Sequence, residues 1–482
     1  MKKLLILMVV AVLSGSCSVY QKYSRPQSIS TEGLYGEGVP AADTVTVADV
    51  CWRDFFTDTH LQRLIEQGLA NNADMQIAAQ RIVESEAALR TARLSFYPSF
   101  AFEPSFSTTN RFGKASTSSH SYTIPVAASW EIDVAGRLLN SKRKAESVYE
   151  QSKLYRRSVQ TNLIASIANC YYTLLMLDAQ LHVSRTTAAS WKENVRIMKA
   201  MKQAGMTNEA SVSQTEANSC SIDASLFDLE YDIIQVENTL ALLLGTTPQH
   251  FERGDIYNQS VRRDMMIGVP MQLLSRRPDV QSAERALEQA FYNTNLARAA
   301  FYPSLSIGAD FGWTEQLGAM ISSPGAWLVS AVAKLAAPIF NAGRNRANLK
   351  IAKAQQEEAL IAFRQTLLQA GSEVNDALAQ CRAARNKTDI RQRQIAALES
   401  AVNSTRQLMS HSESTYLEVL TAQQALLSAQ LSQIADRFAA IQGSINLYHA
   451  LGGGAEEPEV ASDESGEEDA KGAKKAKRSR KK

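Results

Sequence analysis

Arg93-Leu94-Ser95-Phe96-Tyr97-Pro98-Ser99 returns 205 residues later as Arg298-Ala299-Ala300-Phe301-Tyr302-Pro303-Ser304. Asp133-Val134-Ala135-Gly136-Arg137 returns as Phe340-Asn341-Ala342-Gly343-Arg344, 207 residues on, so the register holds over a long repeat. That period is too long for a solenoid unit. It marks a duplicated module, residues 51–250 and 251–451, each copy reading as helix, two strands, long helix, turn, long helix.

The strands follow the recurring Phe-Tyr-Pro-Ser. In the first copy, stretches at about 99–107 and 120–131 alternate: Phe100, Phe102 and Phe106, then Tyr122, Ile124, Val126, Ala128 and Trp130, fall on one face. Serine, threonine and alanine fill most of the other face. The second copy does the same at about 304–313 and 326–338. Period two with one apolar face predicts a sheet covered on one side. A soluble sandwich would cover it with protein. A membrane barrel would cover it with lipid and keep a polar lumen. Four strands cannot close a barrel alone, so the second option needs several copies.

After each strand pair the period becomes helical. Leu163, Ile167, Cys170, Leu174, Leu177 and Leu181 follow 4-3 spacing, as do Ile222, Leu226, Leu229, Ile233, Val236 and Leu240. Gly205 separates the two runs. Seam, glycine, seam predicts an antiparallel helical hairpin with helices at about 138–204 and 208–245. The second copy predicts helices at about 344–411 and 416–450, with Ser412 at the turn. At about 1.5 Å per residue the longer helices reach about 100 Å, too long for a compact domain.

The ends are different in kind. Lys2 and Lys3 precede an apolar run from Leu4 to Leu13, which reads as a signal peptide over 1–16. Ser14-Gly15-Ser16-Cys17 resembles a bacterial lipobox, making Cys17 the lipidated first residue of a leader over 17–50. Residues 452–482 are an acidic and then basic low-complexity tail that reads as disordered. Net charge is +2, which implies no nucleic-acid partner. The histidines and remaining cysteines are scattered without ligand spacing, and no phosphate loop or nucleophile elbow occurs, so no cofactor, metal or enzymatic activity is expected.

Several motifs together resemble the TolC-like outer-membrane factors of tripartite efflux pumps, in the NodT/OprM-like lipoprotein branch. They are Ser129-Trp130-Glu131-Ile132-Asp133 with Gly136-Arg137, Gly268-Val269-Pro270 followed by Leu273 to Val280, Phe301-Tyr302-Pro303-Ser304, Ala204-Gly205-Met206-Thr207, and Tyr416 to Gln423. The likeness runs from Cys17 to about Leu451.

The resemblance implies a homotrimer whose subunits each give four strands to a twelve-stranded barrel in the outer membrane, above a periplasmic α-barrel. It implies docking to a periplasmic membrane-fusion adaptor and through it to an inner-membrane RND transporter. The docking tips would be Gly205, Met206, Thr207 and Asn208, with Ser412, Glu413, Ser414 and Thr415. Ser412 departs from the family's usual glycine. Arg276, Arg277, Pro278 and Asp279 read as structural, since proline followed by an acid suits a helix start. Gly136, Arg137, Gly343 and Arg344 read as strand-to-helix joins. A type I secretion channel and a periplasmic coiled-coil lipoprotein are the competing readings.

Overall fold

The computed structural model describes residues 22–25, 51–111, 117–259, 277–316, 326–410 and 416–453. Three helices open it: α1 (Trp52–Phe55), α2 (Thr59–Asn71) and α3 (Ala73–Leu94). Strands β1 (Ser99–Phe102), β2 (Ser105–Arg111) and β3 (Thr117–Ile132) follow, then α4 (Arg137–Gln203) and α5 (Glu209–Leu243). The second series is α6 (Pro278–Ala299), β4 (Ser304–Gln316), β5 (Ala326–Ala336), α7 (Arg344–Ser410) and α8 (Tyr416–Ala450). Both α4 and α7 are 67 residues long, and both α5 and α8 are 35.

The compact units are not the sequence repeats. One unit gathers Ile77–Arg156 with Pro278–Leu368, and the other gathers Arg157–Arg277 with the chain from Gln369 and the helices before Ile77. Each unit therefore draws on both copies.

The first unit holds an antiparallel sheet in the order β1-β3-β4-β5, with β2 also on β3. The stretch expected as one strand at 99–107 is two. Glu103 N–H donates to Pro125 O at 3.3 Å but Pro125 has no N–H to return the bond, so pairing stops after Phe102↔Val126 and resumes at Ser105↔Thr123. Register puts the large apolar residues on one face: Val126 lies opposite Phe311, Trp130 opposite Ile307, and Phe311 opposite Val329. Among the described residues no layer covers that face. Phe100 is 72% exposed, Phe311 52%, Val329 73% and Leu335 68%. The opposite face is mostly small and polar, Val332 opposite Gly308 being an apolar exception, and on it Ser330 Oγ donates to Asp310 Oδ2 at 2.9 Å.

The second unit is helical around an apolar core. Leu163, Ile167, Leu174 and Leu181 of α4, Leu240 of α5, Val374 of α7 and Ile441 of α8 are all buried in it. Phe55 stacks on Tyr448 with ring centroids 4.3 Å apart, fixing α1 against α8. Asp58 caps α2 by accepting from His60 N–H at 2.8 Å. The same carboxylate accepts from Tyr171 Oη at 2.6 Å and Gln259 Nε2 at 2.8 Å. Burial alone would push Asp58 up, but these donors outweigh it and hold its carboxyl below the usual value. Cys51, Cys170, Cys220 and Cys381 are free thiols, and burial raises the pKa of Cys170 and Cys381.

Candidate functional site

Three structures carry the candidate residues: the strand-to-helix joins, the α4–α5 hairpin with its tip, and the start of α6. Cys17, Arg276, Ser412, Glu413, Ser414 and Thr415 lie outside the described residues.

At the first join Gly136 has φ 60°, and Asp133 Oδ2 accepts from Leu139 N–H at 2.8 Å, capping α4. Arg137 pairs with Glu131. Buried Asn140 donates through Nδ2 to Gly136 O at 2.7 Å and accepts from Asn295 Nδ2 at 3.2 Å. The second join is looser. Ala342 and Gly343 take φ of 52° and 78°, Arg344 is exposed, and Asn345 Nδ2 donates to Ala300 O at 2.7 Å. Parts of both joins line one cleft of about 620 Å³, with Glu131 and Arg137 at one side and Tyr302, Pro303 and Pro338 at the other.

The start of α6 carries three of the four residues expected there, Arg277, Pro278 and Asp279. Pro278 is its first residue and Asp279 stands in its first turn. Arg277 is 4% exposed. Its Nη1 donates to Ala450 O at 2.8 Å and its Nη2 to Glu373 at 2.7 Å. A cation on the last carbonyls of α8 satisfies an acceptor that the helix itself leaves unpaired.

The hairpin is held in register by charge. Lys202 pairs with Glu209, Lys199 with Glu216, Lys192 with Asp223 and Arg185 with Glu230. Every cation is on α4 and every anion on α5. Beyond Lys199–Glu216 the partners step by seven residues on both helices, in opposite directions, as an antiparallel pair requires. The next step places Asp178 opposite Glu237, two acids. Arg253, from the segment after α5, fills that position: its side chain is 8% exposed and reaches both, at 2.5 Å each.

At the tip, Met206 N–H donates to Met201 O at 2.9 Å and Gly205 N–H to Lys202 O at 3.0 Å. These are the two bonds of a Schellman cap, and Gly205 supplies its left-handed residue at φ 72°. Asn208 then caps α5 by accepting from Ser211 N–H at 2.9 Å. Met206 is 69% exposed and Thr207 half-buried. Behind the tip Asn194 Nδ2 donates to Gln423 Oε1 at 2.7 Å, tying α4 to α8.

A family model of outer membrane efflux proteins matches residues 64–246 and again 269–453, once on each repeat. The chain belongs to that family. It is 32% identical over 464 residues to the cation efflux system protein CusC of Escherichia coli O6:H1, covering 94% of this chain and 98% of that one. It is 32% identical over 475 residues to the toluene efflux pump outer membrane protein TtgC of Pseudomonas putida, covering 94% and 96%. A crystal structure of CusC superposes with a TM-score of 0.80 at 29% identity, over 91% of this chain and all of that one. This outer membrane efflux protein is accordingly the outer-membrane channel component of an efflux system, mostly helical with a small sheet. The Arg253 bridge and the charge ladder are the features that apolar periodicity does not reveal.

Proposed function

We propose that three copies close one barrel through the outer membrane, and that solutes leave through it after an inner-membrane RND transporter loads them by way of a periplasmic adaptor. The observation that carries this reading is the uncovered apolar face of the sheet. An aqueous monomer does not leave so many neighbouring aromatic and branched side chains bare, whereas lipid favours them. The strands, at 16, 13 and 11 residues, are long enough to cross a bilayer. Among the described residues both edges, β1 with β2 and β5, lack a neighbouring strand. Open edges are not tolerated in hydrocarbon, so other copies must pair with them. Family membership supports the same assembly.

In this reading Cys17 carries the lipid anchor, and the tip at Gly205, Met206, Thr207 and Asn208 meets the adaptor, together with Ser412 to Thr415. The polar sheet face is the lumen. Its serines, glycines and threonines offer little to grip one cargo class, so selection belongs to the transporter. Val126→Asp and Val329→Asp should each abolish membrane insertion, while Ser129→Asp on the polar face should insert normally. Normal assembly of both valine variants would sink the barrel reading. Fatty-acid labelling should disappear in Cys17→Ala.

A further inference from the structure

We propose that the strand-proximal ends of α4 and α7 form a basic collar that binds the anionic phospholipid headgroups of the membrane crossed by the sheet. The inference rests on the barrel reading above. Helix N-termini ordinarily attract acids, because the backbone dipole places about half a positive charge there. Beyond the Asp133 cap on α4, the first turns of these two helices do the opposite. Neither has an acid in its first turn. After Arg137, α4 runs through Lys142-Arg143-Lys144 before its first acid, Glu146. After Arg344, α7 carries Arg346, Lys350 and Lys353 before its first acid, Glu357.

Arg346, Lys350 and Lys353 are exposed and spaced to share one helix face. Like charges so spaced cost a few tenths of a kcal/mol per pair in an isolated helix. No carboxylate offsets them: among the described residues, none of these three nor Lys142, Arg143 or Lys144 has an ion-pair partner. The acids at the first join are already engaged, Glu131 by Arg137 and Asp133 by the α4 cap. Both copies of the repeat keep the basic opening although their sequences there differ. Two helices that open with cations lacking an ion-pair partner among the described residues, at the same end of the same unit, point to an external anion.

Position identifies that anion. Lys353 lies about 14 Å along α7 from Arg344, at about 1.5 Å per residue. The cations thus begin just beyond the strands and extend through the depth of a headgroup layer and its ion atmosphere, about 8 Å at physiological salt. Guanidinium and ammonium groups at that level fit phosphodiester oxygens.

The test uses the full-length protein and the triple variant Arg346→Gln, Lys350→Gln, Lys353→Gln, in phosphatidylcholine vesicles with and without roughly one quarter phosphatidylglycerol. Phosphatidylglycerol should raise the thermal midpoint of the inserted wild type by several degrees, and high salt should remove the rise. The variant should insert but lose more than half of that shift. An equal midpoint in both lipids, or an undiminished shift in the variant, overturns the collar. So does a variant that changes ion selectivity in planar bilayers while keeping the full lipid shift, because its cations then face the lumen. Wild-type protein that enters neither vesicle overturns the barrel reading and the collar with it; insertion without lipid dependence overturns the collar alone.

Discussion

Arg253 holds Asp178 with two hydrogen bonds, Nε to Oδ2 at 2.5 Å and Nη2 to Oδ1 at 3.0 Å, while its Nη1 reaches Glu237. The exposed rungs of the α4–α5 ladder are worth at most about 1 kcal/mol each and chiefly set register. The Arg253 position is different because removing the cation leaves two facing acids, Glu237 largely buried and Asp178 partly exposed. Arg253→Met should cost about 3 kcal/mol by denaturant melting. Adding Glu237→Gln should restore part of the loss. A loss that the second substitution does not reduce would show that packing, not charge, is at stake.

Asp58 predicts acid sensitivity. Its folded pKa is depressed, so its contribution is present above the unfolded value, about 3.9, and is lost as pH falls through the folded value. Asp58→Asn should cost about 1–2 kcal/mol at neutral pH and flatten the acid limb of the stability profile. Thermal melts of both proteins across the acid range would reveal an unchanged limb if the carboxylate is not responsible.

The tip separates stability from docking. A Cβ at Gly205 would meet nothing within 4 Å, so Gly205→Ala should cost only the backbone strain, about 1–2 kcal/mol, and Gly205→Asn less. Met206→Asp should leave the melt unchanged while weakening capture of the adaptor at least tenfold. Equal adaptor binding by Met206→Asp would move the docking site elsewhere.

Gly312 of β4 sits opposite Pro125 of β3. A Cβ there would lie 2.2 Å from Ile124 O and 2.5 Å from Pro125 Cα, both backbone. Gly312→Ala should therefore abolish the heat-resistant assembled species on electrophoresis, while Gly308→Ala, 4.0 Å from its nearest neighbour, should retain it.

Much of this was legible before any coordinates. The alternation through Ile124, Val126 and Trp130 does mark one face of β3, and the 4-3 run from Leu163 to Leu181 is the buried stripe of α4. Those signals are local: burial enforces the α4 stripe, and in the proposed barrel lipid favours the β3 face. The break opposite Pro125 is also open to reading, since proline cannot donate to a ladder. The acids at 209, 216, 223, 230 and 237 stand seven apart in plain sight. What no period places is Arg253, which arrives from outside the helices, or the division into units that cut across the duplication. Both depend on which distant segments meet, and spacing along the chain carries no information about that.

In the proposed barrel, the edges at β1 and β5 that are unpaired among the described residues have a kinetic consequence. A chain arriving alone would drag a row of bare amides and carbonyls into oil, so insertion cannot precede association. Productive entry should rise more steeply than linearly with the density of chains at the membrane, and a scarce chain should linger unprotected on its surface. Supply of this subunit, rather than its intrinsic folding speed, then sets how many finished conduits a cell holds.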